Sequence, residues 1–145
     1  MMMKTLLLLM IALGALGAGY VRDDANGLVT DNATGLQWQS GTGSALNPMR
    51  WRSAVERCET LTIGGFTDWR LPNINELRSI VDVSRADPAI DPIFPNTAHA
   101  YYWSSTSGAD EPESAWAVGF KAGSDSIYNK EGRYNVRCVR GETAP

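Results

Sequence analysis

Apolar and polar positions along this chain change rhythm twice, from strand-like alternation to helical spacing and back. Gly27-Leu28-Val29-Thr30 and Leu36-Gln37-Trp38-Gln39 flank Asp31-Asn32-Ala33-Thr34-Gly35, so two short strands joined by a turn are predicted. Asn32-Ala33-Thr34 also fits a glycosylation acceptor, but Asn, Asp and Gly are what such a turn requires. Trp51, Ala54, Val55, Cys58 and Leu61 follow helical spacing, which predicts a helix over 49–61, stopped by Gly64-Gly65. Phe66, Trp69 and Leu71 are expected to be buried in an irregular stretch. A second helix is predicted over 74–82, with Asn73 as N-cap and Glu76 completing a capping box. Pro88, Pro92 and Pro95 make residues 84–100 a non-repetitive connection. Strands are predicted at 101–105, 115–120, 126–128 and 134–140, the last three as an antiparallel meander turning at Gly123 and Gly132. Strands, two helices and strands again define an α+β class.

The first residues read differently. Lys4, the apolar run Thr5–Leu13 and the small residues up to Gly19 have the three-part form of an export signal. The apolar run is short for a bilayer span. The expected organisation is therefore a signal peptide over 1–19, a polar lead-in over 20–26, one domain over 27–141 and a tail over 142–145. The protein is expected in the periplasm, at the cell surface or outside the cell, with no stable membrane span after cleavage.

Charge narrows the partners. The net charge is −3, about −4 once Lys4 leaves with the leader. Arg50, Arg52 and Arg57 alternate with Glu56 and Glu59, which describes a solvated helix face and gives no phosphate track, so no nucleic-acid partner is expected. Cys58 and Cys138 are the only cysteines, and in an exported chain they are expected to be joined to one another. Two cysteines and the single His99 cannot complete a four-ligand zinc set. His99 has no Ser partnered to it by any pattern, and no carboxylate pair stands out, so no catalytic residue is assigned.

Five blocks carry a resemblance. They are Val29–Trp38, Gly64–Pro72, Glu76-Leu77, Tyr102–Thr106 and Val136–Arg140. In that order they resemble the Lcl C-terminal domain family, which is similar to the C-type lectin-like superfamily that includes the formylglycine-generating-enzyme group. The resemblance implies a C-type lectin-like fold: two helices packed on a small antiparallel sheet, with a disulfide from the first helix to the last strand. It implies adhesion to glycans or to surface and envelope components. It implies function more loosely than fold, because one fold hosts many activities.

Candidate site residues follow from both readings. Glu111-Pro112-Glu113 after Asp110 stands where calcium-dependent lectins of the superfamily carry a Glu-Pro-Asn-like triplet, so Asp110, Glu111 and Glu113 are weak Ca²⁺ candidates. The third residue departs from that pattern, no Trp-Asn-Asp triplet follows, and an exposed acidic loop tip explains the stretch as well. Asp82, Asp87 and Asp91 are further cation candidates, although Asp-Pro pairs more often start turns. Tyr101 and Tyr128 are candidates for ligand contact beside mostly buried tryptophans. Arg70, Arg137 and Arg140 are candidates for acidic glycan groups, with Arg70 better explained as an internal anchor. The expected recognition surface combines the loops between Tyr101 and Ala115 with Ser40–Pro48. The expected role is a non-catalytic binding module with no required cofactor. A structural envelope protein and an enzyme related to the formylglycine-generating group are the alternatives.

Overall fold

A computed structural model describes residues 19–41 and 48–142; the predicted leader and most of the Ser40–Pro48 loop lie outside the described residues. The elements run β1 (Tyr20–Asp23), β2 (Leu28–Asp31), β3 (Gln37–Gln39), α1 (Trp51–Glu59), α2 (Ile74–Ser79), β4 (Tyr101–Ser107), β5 (Ser114–Gly119), β6 (Ser124–Asn129) and β7 (Val139–Arg140). The α+β class is as the hydrophobic pattern predicts. The single sheet is not: the strands divide into a four-stranded sheet, β1-β2-β3-β7, and a three-stranded sheet, β4-β5-β6.

Three local differences have physical causes. The expected lead-in contains β1, which pairs antiparallel with β2 from Tyr20↔Asp31 to Asp23↔Leu28. Tyr20 makes this possible by packing edge-on against Phe94 at 5.0 Å between ring centroids. The expected strand over 134–140 keeps regular pairing only at Val139–Arg140. Residues Asn135 to Val139 are all buried, so the segment runs between the sheets and serves both. Asn135 bonds to Tyr101 and Trp103 of β4, whereas Cys138 O accepts from Gln39 of β3. The predicted meander therefore consists of β4, β5 and β6, with the final strand crossing to β3. Phe66 is half-buried, whereas Trp69 and Leu71 are buried as expected.

The three-stranded sheet has core on both faces. Tyr102 and Val118 face one cluster with Leu77 and Ile80 around α2. Trp103, Ala115 and Ala117, one residue out of phase, face a second cluster with Ala54 and Cys58 of α1. Alternation along β4 and β5 thus separates two apolar faces.

Two ties close the fold. Cys58 on α1 is bonded to Cys138 just before β7, with Cα atoms 5.5 Å apart. A disulfide of this kind belongs to an oxidising, extracytoplasmic setting. Among the described residues no helix is long and apolar enough to cross a membrane. The second tie starts at α2. The Asn73 side chain accepts from the Glu76 amide at 2.8 Å, and Glu76 Oε1 accepts from the Asn73 amide at 2.9 Å, completing the predicted capping box. The same Glu76 carboxylate receives both terminal nitrogens of Arg70, each at 2.7 Å. Arg70 also donates to Gly141 O at 2.8 Å, so α2 and the chain's last strand share one anchor.

Candidate functional site

The predicted site residues are spread along β4. Tyr101 opens β4, and the turn carrying Asp110, Glu111 and Glu113 follows its other end. Seven extended residues put about 20 Å between Tyr101 and that turn, whereas Tyr128 pairs with Ala115 nearer the turn and its ring meets Tyr101.

At the acidic turn, all three carboxylate residues are exposed. The turn is held through its backbone. Ser114 N–H donates to Glu111 O at 2.9 Å, and the Lys130 ammonium donates to Pro112 O at 2.8 Å and to Ser107 Oγ at 2.7 Å. Among the described residues no group of three His, Cys, Asp or Glu side chains is placed to hold a metal ion. Asp82, Asp87 and Asp91 are likewise apart in function. Asp82 accepts from Ser84 and Arg85, Asp87 pairs with His99, and Asp91 accepts from the Ile93 amide.

A cleft of about 550 Å³ lies beside this turn, where Arg50, Trp51 and Arg52 at the start of α1 meet Glu113 and Lys130. Its aromatic surface is already covered. The Trp51 Nε1–H donates to Ser104 O at 2.9 Å, and the Lys130 ammonium sits 4.0 Å from the ring centroid. The other tryptophans are no more available. Trp38, Trp69 and Trp103 are buried, and Trp116 is half-buried near the Arg78 guanidinium.

Tyr101 and Tyr128 belong to a different construction. On β5, Ala115, Ala117 and Gly119 form a row of small residues on one face. Tyr128 pairs with Ala115 and Tyr101 with Gly119. A Cβ at Gly119 would stand 2.9 Å from Tyr101 Cε1, so only glycine lets that ring lie across the strand. Tyr128 meets Tyr101 edge-on at 4.9 Å and meets Tyr134 at 4.6 Å. Tyr134 in turn packs edge-on against buried Trp103 at 4.9 Å. The Tyr101 hydroxyl is engaged by Tyr128, Ser124 and Ser126, and the Tyr128 hydrogen bond holds its phenol below the ordinary tyrosine range. The same bond pushes the Tyr128 phenol up, as expected when Tyr128 is the donor.

Tyr101 lines an open cleft of about 430 Å³. Tyr101, Tyr134, Ala100, Ala122 and Pro48 supply apolar lining, and His99, Lys121 and Arg133 supply basic groups. No carboxylate lines it. Among the described residues Lys121 and Arg133 make no ion pair, whereas His99 Nδ1 lies 2.5 Å from Asp87 Oδ1.

The arginines read from sequence as glycan contacts are engaged inside the fold. Arg70 holds Glu76 as described. Arg140 pairs with Asp68 at 2.7 Å and stacks 3.6 Å from the Phe66 ring centroid. Arg137 is 1% exposed. The basic side chains that line the tyrosine cleft are Lys121, Arg133 and His99, none of them chosen for that role from the sequence. Tyr134 was also missed. Its signal was indirect: a row of Ala, Ala and Gly on a central strand leaves space that large rings from neighbouring segments must fill.

The model of the Lcl C-terminal domain family matches residues 27–140 of the chain. No curated protein matches it.

Proposed function

The chain belongs to the Lcl C-terminal domain family, and from that premise we propose that it is an exported, non-catalytic module that binds glycans of a cell surface or envelope through the tyrosine cleft. The carrying observation is the lining of that cleft: two tyrosine rings beside unpaired Lys121 and Arg133, with no carboxylate among them. Sugar rings present C–H faces that pack on aromatic rings, and a basic rim favours a glycan bearing carboxylate or sulfate. The joined cysteines support the non-catalytic reading, because a thiol mechanism of the formylglycine-generating kind would need them reduced.

A glycan array probed with the oxidised protein tests this. Retention of acidic glycans above a reduced and denatured control is expected, weakening as salt is raised. A signal no higher than that control would remove the proposal.

A further inference from the structure

We infer that Arg137 is the positioning residue of the tyrosine cleft, one guanidinium that holds the segments forming its walls; the inference rests on reading that cleft as the recognition site. Arg137 Nη1 donates to Gln39 O at 2.6 Å and to Ser40 O at 2.9 Å, and Nη2 donates to Thr97 Oγ1 at 2.9 Å. The Tyr102 hydroxyl is also within its hydrogen-bonding set, and that oxygen accepts from the Ala98 amide at 2.7 Å. The Phe94 ring lies 5.2 Å from its central carbon.

These contacts reach three stretches of chain. Ser40 stands eight residues before Pro48, Thr97 stands two residues before His99 and three before Ala100, and Arg137 itself follows Asn135 by two residues and Tyr134 by three. Pro48, His99, Ala100, Tyr134 and Asn135 all line the cleft. The guanidinium is fully buried, the Gln39, Ser40 and Thr97 oxygens that accept from it are all neutral, and its Nε has no partner among the described residues. A buried charge without a carboxylate is a poor source of stability, and an apolar side chain of similar volume would fill the space at less cost. What only this planar fork supplies is simultaneous hydrogen bonding to carbonyl and hydroxyl oxygens from separate segments.

The test is amide exchange by NMR on the oxidised protein, comparing wild type with Arg137→Lys, which keeps the charge and loses the fork, and with Arg137→Met, which loses both. The Gln39, Ser40 and Ala98 amides are expected to exchange at least tenfold faster in both variants. The amides of β5 are expected to stay at wild-type rates, and the Tyr134 ring signals to shift, although the Arg137 guanidinium bonds to Gln39, Ser40 and Thr97 and not to Tyr134. Faster exchange throughout, or no change at those three amides, would overturn the inference. Should both variants fail to fold, Thr97→Val removes the Arg137 contact to this segment together with the Thr97–Phe94 hydrogen bond and leaves the Gln39 and Ser40 contacts in place, and faster exchange at Ala98 with Gln39 unchanged is then the expected result; unchanged Ala98 would count against it. On the array, both arginine variants should lose at least tenfold in retention, whereas Arg140→Lys, on the same segment but away from the cleft, should not. An array that retains nothing for wild type removes the glycan reading and leaves the exchange pattern to decide Arg137.

Discussion

The seam joining α1, α2 and β7 and the tyrosine cleft at one end of the three-stranded sheet use charge and aromatic surface in opposite ways. At the seam every arginine is engaged: Arg70 with Glu76 and Gly141, Arg140 with Asp68, Gln37 and Phe66, and Arg137 with three neutral oxygens. At the cleft Lys121 and Arg133 have no ion-pair partner among the described residues, and two tyrosine rings line the space between them. Groups already satisfied within the fold have little to offer a ligand, whereas unpaired cations beside an apolar surface retain their binding capacity. The difference separates residues that hold the molecule together from residues available to a partner.

The largest effect expected at the seam comes from its covalent tie. Replacing Cys58 and Cys138 together by Ala opens a loop with a sequence separation of 80. Chain entropy predicts a loss of about 4–5 kcal/mol, read as a fall in the urea midpoint. A loss under about 1 kcal/mol would mean that the seam is held mainly by its polar ties.

Glu76→Gln comes next. Burial pushes the Glu76 carboxyl up, but the Arg70 guanidinium and the Asn73 amide pull harder, leaving it below its ordinary 4.5. A carboxyl lowered by folding stabilises the native state above its unfolded pKa, and this contribution is lost as pH falls through the folded value. The variant should therefore be less stable by about 1–2 kcal/mol at pH 7, a figure reduced for the solvent exposure of Arg70. That deficit should shrink progressively below about pH 4.5. Chemical denaturation at pH 7 and pH 3 reads both; an equal deficit at the two values would show that the capping geometry, and not the charge, carries the effect.

The smallest change in stability is expected at the tyrosine cleft. Lys121→Ala combined with Arg133→Ala should alter the unfolding free energy by less than about 0.5 kcal/mol. The same double variant should lose most array retention of acidic glycans. Undiminished retention would move recognition away from this cleft, toward the one beside Trp51.

The capping box at Asn73 and Glu76 was legible because its signal is local: two side chains three residues apart satisfy each other's backbone amides. The pairing of Cys58 with Cys138 was legible because an exported chain with two cysteines has a single intramolecular choice. The two-sheet arrangement was not, since Asn135–Val139 is buried on all sides and shows no period to say which sheet it joins. The tyrosine cleft was read in part. Tyr101, which lines it, stood out as an aromatic on a predicted strand, whereas Tyr128 packs behind it without lining the cleft, and Tyr134, Lys121 and Arg133 come from segments that meet only in the fold.

Local chemistry along the chain was enough to determine the α+β class, the two helices with their cap, and an oxidised pair of cysteines, because each depends on neighbours in sequence or on counting. Which arginines are enclosed and which cations line a cleft was decided by tertiary structure alone. Burial and pairing depend on groups tens of residues apart, and a guanidinium has the same composition whether it meets a carboxylate inside or water outside.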